Sequence, residues 1–166
     1  MSTETLAEAL EREHVEIDQG IEAFLERPDA EAGAICLRRA IAALRRHIYL
    51  EEQFVFPPLR EAGMVMPVLV MLREHGEIWT SVDAIDAARA QNADPGTVST
   101  ACEELLARLE RHNLKEEAVL YPQTDPELPA AAAEQLRAFL ASGHTPAGWV
   151  CAGARASDRS EGGTLG

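Results

Sequence analysis

Apolar residues recur at helical spacing through four long segments of the chain, which is the pattern of helices that bury one face. In the first segment, Leu10, Ile17 and Ile21 follow this spacing. Proline, glycine and asparagine interrupt the pattern between segments and predict where the helices end. The predicted long helices cover residues 3–27, 30–55, 67–92 and 97–120, and a shorter fifth helix covers residues 129–142.

Short connections between these segments favour antiparallel neighbours, so the pattern predicts an all-α protein built as an up-down-up-down four-helix bundle. Residues 1–124 form the predicted bundle, and residues 125–144 contain a short accessory helix. Residues 145–166 are rich in glycine, alanine, serine and arginine and show little periodicity. We expect this last segment to form a disordered tail.

The composition and charge of the chain exclude several classes of protein. The chain has 166 residues, of which 46% are hydrophobic, and carries a formal charge of −13. A chain of this length is expected to form one domain with a sizeable core. Its acidic charge repels phosphate groups and anionic lipids, which makes nucleic acid and membrane unsuitable partners. The N-terminus lacks the features of a secretory signal and the three cysteines form no CxxC pair, so we expect a cytoplasmic protein with reduced thiols.

Two short motifs each occur twice, in the same order. The first reads REHVEI at residues 12–17 and REHGEI at residues 73–78. The second is an HxxxEE motif that begins at His47 and again at His112, followed by Phe-Pro in the first copy and Tyr-Pro in the second. Four of the five histidines fall inside these motifs. The duplication indicates one symmetric site with two metal ions.

The spacing within each HxxxEE motif is suited to metal binding. Residues four apart share a helix face, so His47 and Glu51 present an imidazole and a carboxylate to the same point. Counting residues from the helix ends, at about 1.5 Å per residue, places all the repeated histidines and acids in one layer. Imidazole suits ions such as iron, and a carboxylate can bridge two of them. The predicted metal ligands are His14, His47, Glu51, His75, His112 and Glu116.

These residues resemble the hemerythrin-like domains, also called HHE cation-binding domains. The resemblance covers about residues 5–122 and rests on a His, an HxxxE with a following proline, a second His and a second HxxxE with a proline. It implies a four-helix bundle that holds two non-heme iron ions joined by an oxo or hydroxo bridge. By position, the four histidines would be terminal ligands, and Glu51 and Glu116 would bridge the two ions.

One position departs from the oxygen-carrying proteins of the family that this chain resembles. Those proteins have a further histidine one turn before the histidine of the third helix, where this chain has Met71. One iron would then keep an open coordination position. Such a position favours reaction with small oxidants over reversible oxygen carriage.

Several residues beside the predicted ligands are open to more than one interpretation. Glu52 and Glu117 follow the bridging acids about 100° around the helix, which predicts positions behind the ligands or at the surface. Glu13 and Glu74 are predicted to face solvent or to pair with arginines. Tyr121 either packs as an ordinary aromatic residue or reaches the site as a ligand or radical trap.

The resemblance implies a di-iron protein that binds or reacts with O₂, hydrogen peroxide or nitric oxide. Decomposition of peroxide under oxidative stress is one form of this hypothesis, because two irons can act together in two-electron steps. The partners would be these small molecules, since the sequence shows no pocket for a larger substrate. The alternative is a non-catalytic iron or oxygen sensor, or an iron-handling protein.

Overall fold

The computed structural model describes residues 3–161, and within this range the chain is helical and contains no strand. The all-α prediction is therefore confirmed. Among the described residues, no helix combines the length and the apolar character that crossing a membrane requires. The elements are α1 (Leu6–Glu26), α2 (Glu31–Leu50), π1 (Glu51–Val55), α3 (Phe56–Glu61), α4 (Val65–Ala90), α5 (Pro95–Lys115), π2 (Glu116–Leu120), α6 (Tyr121–Glu127), α7 (Ala130–Ser142) and α8 (Ala152–Glu161).

The first helix begins with a capping box. The Thr5 hydroxyl accepts a hydrogen bond from the Glu8 amide at 3.2 Å, and the Glu8 carboxylate accepts one from the Thr5 amide at 2.8 Å. These two bonds satisfy amides that would otherwise lack a partner in the first turn. The helix therefore starts at Leu6 and is capped by Thr5, slightly later than the predicted start at residue 3.

Two of the predicted helix ends are wrong, because the helices continue through the prolines. Helices α2, π1 and α3 follow one another without a gap, and so do α5, π2 and α6. At the junctions, the Phe56 amide bonds to the carbonyl of Glu51, and the Tyr121 amide bonds to the carbonyl of Glu116. These bonds span five residues and form the wide turn of a π-helix. The widened turn accommodates the proline ring that follows, so the helix continues instead of stopping.

Four helical columns therefore make up most of the chain: α1, α2–π1–α3, α4 and α5–π2–α6. Helix α1 packs against α2, α5 and α6, while α4 packs against α3 and α5. Each column carries buried apolar residues on both sides of its motif histidine along the chain. These residues form two separate hydrophobic cores.

The two cores are separated by the layer that contains the motif histidines. The first core includes Ile17 of α1 and Ile78 of α4, which follow the motif histidines of those helices. The second core includes Leu10 of α1 and Met71 of α4, which precede them. The same division holds on the other two columns, so a polar layer lies between two apolar regions, as counting along the helices predicted.

The prediction of a disordered tail is wrong for the part that the structure describes. Residues 152–161 form helix α8, which packs along α4, and Cys151 just before it is buried. The Trp149 ring packs edge-on against Tyr49 and Trp79 at centroid distances of 5.0 and 5.6 Å. The sequence pattern missed this helix because its contact with α4 uses glycines, which add nothing to hydrophobic periodicity. The predicted tail also included residues 162–166, which lie outside the described residues.

Candidate metal centre

The structure brings all six predicted ligands together in the polar layer. They form two groups of four, and within each group the candidate ligand atoms lie within 4.8 Å of one another. The first group pairs His14 with His47, and the second pairs His75 with His112. Glu51 and Glu116 belong to both groups. We call these groups the His14 half and the His75 half, and they meet at the two shared carboxylates.

Each of the four columns contributes to this centre. Helices α1 and α4 each provide one histidine, while α2 and α5 each provide a histidine near their ends. Glu51 and Glu116 are the first residues of π1 and π2. π-Helical turns are frequent at functional sites. Here the two turns begin at the two acids that both halves share.

Each histidine is held by a carboxylate from another part of the molecule. The contacts join the histidine Nδ1 atom to a glutamate oxygen at 2.8–3.0 Å, and the glutamate stands next to a predicted ligand in sequence. A hydrogen bond at Nδ1 fixes the ring and directs Nε2 at the centre of the site, an arrangement that is common around metal-bound histidines. The pairs are His14 with Glu117, His47 with Glu13, His75 with Glu52, and His112 with Glu74.

The roles of these four glutamates were predicted only in part. Glu52 and Glu117 lie behind the ligands, as one of the two interpretations held. Glu13 and Glu74 were assigned to solvent or arginine pairs, yet both contact a histidine as well as a cation. The signal was present in the sequence, because a glutamate stands beside a ligand in all four motif copies. The histidine that each glutamate contacts could not be predicted from spacing, because each contact joins two different columns.

Tyr121 reaches the site with its hydroxyl group. The Tyr121 hydroxyl donates a hydrogen bond to Glu51 at 2.5 Å and lies 2.9 Å from Nε2 of His14 and 3.1 Å from Nε2 of His47. Its side chain is fully buried, and its ring stacks on the His14 ring at a centroid distance of 5.3 Å. The His14 half therefore has a fifth polar group, and the interpretation of Tyr121 as merely a packed aromatic residue does not hold.

Among the residues that the structure describes, none places a corresponding hydroxyl in the His75 half. Phe56 occupies the equivalent position of the repeat, and its ring stacks on His75 at a centroid distance of 5.4 Å. Met71, one turn before His75, is buried in the second hydrophobic core with Phe56. The thioether of Met71 is a poor ligand for a hard ion such as iron. The two halves thus share their ligand types but differ in the groups that surround them.

Without a metal ion, protons balance the charge of this layer. Burial lowers the pKa of His75, but the nearby carboxylates of Glu51 and Glu52 outweigh this effect and raise the pKa to about 9. Burial raises the pKa of Glu51, but the charge and hydrogen bond of His47 outweigh it and lower that pKa well below its usual range. Burial and the charges of Glu116 and Glu51 raise the pKa of Tyr121, which therefore keeps its proton.

Unpaired buried atoms at the centre fit the binding of a cation. Glu51 Oε2, His75 Nε2 and both carboxylate oxygens of Glu116 are buried and make no hydrogen bond. His75 Nε2 and Glu51 Oε2 approach to 3.1 Å, but without the geometry of a hydrogen bond. Buried polar atoms are costly when they have no partner. Imidazole nitrogens and carboxylate oxygens that converge in this way are suited to binding a transition-metal cation.

Comparison with known protein families agrees with this geometry. The family model of the hemerythrin HHE cation-binding domain matches residues 5–124. The chain belongs to this family. No curated protein and no solved structure matches the chain significantly. The matched hemerythrin HHE domain contains all six predicted ligands, their four supporting glutamates and Tyr121. Helices α7 and α8 lie beyond the matched residues.

Proposed function

We propose that this hemerythrin HHE domain is a di-iron protein whose four columns form an up-down-up-down four-helix bundle around the metal pair. The observation that carries the proposal is the sharing of Glu51 and Glu116 by two groups of histidines. A carboxylate has two oxygens and can serve two ions at once. Two shared carboxylates and two histidines per half therefore supply ligands for a pair of ions, with room for a small bridging group such as oxo or hydroxo.

The chemistry of the ligands favours iron. Four imidazole nitrogens with two carboxylates suit iron in either of its common oxidation states, whereas structural zinc sites favour cysteine and a closed tetrahedral shell. The supporting glutamates add negative charge behind the imidazoles, which strengthens them as ligands. The hemerythrin HHE family supports the same choice.

We further propose that the physiological ligand is a small oxidant, with hydrogen peroxide as the leading candidate. The six ligands enclose a cavity of about 10 Å³, which is room for about one water-sized molecule. Apolar side chains such as Ile17, Leu44 and Ile78 line much of the rest of this cavity. Two iron ions would supply the two-electron steps that convert two molecules of peroxide into one O₂ and two waters.

Tyr121 would support this reaction by holding a proton close to the centre. Its hydroxyl is in contact with Glu51, His14 and His47, and its raised pKa keeps it protonated. A buried hydroxyl in this position can donate a hydrogen bond to a small ligand or pass a proton to it. Phe56 offers no such group in the other half.

The test is metal analysis followed by a peroxide assay. The protein is loaded with ferrous iron without oxygen, desalted, and analysed for iron and zinc. We expect about two iron atoms per chain, and evolution of O₂ when hydrogen peroxide is added. One zinc ion per chain, or no retained metal, would contradict the di-iron proposal. Iron retention without O₂ evolution would contradict only the peroxide reaction.

A second candidate function is a non-catalytic iron or oxygen sensor, or an iron-handling protein. One observation favours it: the supporting glutamate of His75 is also in contact with helix α8, which lies on the surface. A change at the metal centre could reach that surface through this contact. Two retained irons, a stable O₂ complex and no peroxide turnover would favour this function over the first. A cytoplasmic location stays a prediction under either function.

A further inference from the structure

The C-terminal segment is connected to one half of the metal centre through a single glutamate. The amide of Ala152, the first residue of α8, donates a hydrogen bond to Oε2 of Glu52 at 3.0 Å. The other oxygen of Glu52 is 3.0 Å from Nδ1 of His75. One carboxylate therefore joins the start of α8 to a predicted metal ligand.

Two glycines allow this close approach. A Cβ atom on Gly153 would lie 2.6 Å from the Leu72 carbonyl oxygen and 2.8 Å from the Gly76 Cα atom. A Cβ atom on Gly76 would lie 2.8 Å from the backbone of Gly153. These distances are shorter than any normal carbon contact, so only glycine at both positions lets α8 sit directly on the turn of α4 that carries His75.

Within residues 3–161, no helix covers the His14 half in this way. The position in the first motif that corresponds to Gly76 is Val15, a residue that is 53% exposed. The glutamate that corresponds to Glu52 is Glu117, and its side chain is 36% exposed, against 3% for Glu52. Among the described residues, the hydrogen bond of Glu117 to His14 is its one side-chain bond. Because the two halves are built from the same motifs, a comparison of equivalent positions shows what α8 adds to the His75 half.

We propose that residues 145–161 form a strap that positions His75 through Glu52, an inference that rests on the proposed metal function. The strap restricts the Glu52 carboxylate, which in turn holds the His75 ring with Nε2 directed at the metal position. Trp149 and Cys151, both packed against the body of the protein, anchor the strap just before α8. Glu52 is a positioning residue and acts through His75.

Replacing Ala152 with proline tests this contact directly. Proline fits the first turn of a helix but has no amide hydrogen, and its ring would displace the Glu52 oxygen. Gly153→Ala is a second variant, which favours the helix itself but prevents its close approach to α4. The matched control is Ala130→Pro, the same change at the first residue of α7, where the described structure gives the amide no carboxylate partner.

The measurement is the rate at which excess bipyridine removes iron from the ferrous-loaded full-length chain. Loss of a group that supports a metal-bound histidine typically weakens binding 10- to 100-fold. We expect Ala152→Pro and Gly153→Ala to release one of the two irons about tenfold faster, while the other iron leaves at the wild-type rate. The control should match the wild type. In a His75→Ala background, Ala152→Pro should have no further effect.

A metal-free readout separates this inference from the di-iron proposal. In metal-free protein labelled with ¹⁵N-histidine, the His75 Nδ1 proton should exchange with water about tenfold faster after Ala152→Pro, with the other histidines unchanged. If both irons are removed faster to the same extent, or if neither is removed faster, the strap proposal is wrong. If the protein retains no iron, faster exchange at His75 alone would still support the strap, and unchanged exchange would overturn it.

Discussion

The His14 half and the His75 half of the centre are built from the same motifs, yet they differ in what surrounds the ligands. Tyr121 places a hydroxyl on the His14 half, where the His75 half has the ring of Phe56. Helix α8 covers the His75 half, where the His14 half is open at Val15. The repeat therefore preserves the six predicted metal ligands and varies the groups that surround them.

The two halves can be compared for two separate properties of such a site, metal binding and reaction with a small molecule. Binding two ions needs ligands in both halves. Each half has two histidines of its own and shares the same two acids. The proposed reaction with a small oxidant would also require a group that delivers a proton close to the bound molecule. A fifth polar group in only one half meets this second requirement.

The largest expected effect comes from removing an acid that both halves share. Glu51→Ala and Glu116→Ala should each reduce retained iron from about two atoms per chain to less than one, because each carboxylate serves both ions. Metal analysis after anaerobic loading measures this. Glu110→Ala, on the exposed face of α5, is the control and should retain both irons. Loss of one iron only would mean that the altered acid belongs to a single half.

Removal of iron should destabilise both halves together. Without cations, four imidazoles and two acids remain in a buried layer between two apolar cores. A ligand present at about 1,000 times its dissociation constant stabilises a fold by about 4 kcal/mol. For a chain of this size, that corresponds to a melting temperature roughly 10 °C lower without iron. Calorimetry of both forms provides the comparison, and equal melting temperatures would contradict stabilisation of this layer by the metal.

Exchanging the aromatic residues tests whether the hydroxyl distinguishes the halves. Tyr121→Phe should slow peroxide consumption about 100-fold while iron content stays at about two, because a positioned proton donor typically contributes 10²- to 10⁴-fold. The double variant Tyr121→Phe/Phe56→Tyr moves the hydroxyl to the His75 half and should recover part of the rate. O₂ evolution at saturating peroxide measures both. An unchanged rate in Tyr121→Phe would restrict Tyr121 to packing.

Adding a ligand to the His75 half should make the two halves more alike. Met71 lies one turn before His75, so a histidine there can face the same ion. We expect Met71→His to slow peroxide consumption about tenfold and to lengthen the life of any O₂ complex, because it fills the open position. Visible spectroscopy follows the complex. Met71→Leu preserves the apolar packing and should behave as the wild type.

The smallest expected effect is the change of the folding stability of the metal-free protein with pH. The pKa of His75 is about 9 in the folded protein, above its ordinary value of 6.5. The folded state therefore binds more protons than the unfolded state between these values, and its stability falls as pH rises from about 6.5 to 9. Melting temperatures of metal-free wild type and His75→Gln across this window give the comparison. A wild-type melting temperature that rises through the window would reverse the assigned shift.

The sequence by itself determined the helical class, the six residues that meet in the centre and their common layer. Local rules suffice for these features, because residues four apart share a helix face and each residue adds a fixed rise along the helix axis. The departure at Met71 was equally visible, because the resemblance implies a histidine one turn before His75, where this chain has Met71.

Only the tertiary structure decided how the centre is supported. Glu13 supports His47 and not its neighbour His14, because the contact depends on how two columns face each other. The helices continue past Pro57 and Pro122 because a π turn precedes each of them.

Helix α8 is the clearest case of a feature that local pattern could not predict. It docks where two glycine backbones, distant in the sequence, come within contact distance. Glycine adds no apolar side chain, so the local pattern of this segment resembles that of a tail. Its order comes from close backbone packing and from the bond between Ala152 and Glu52, both of which exist only once α4 is in place.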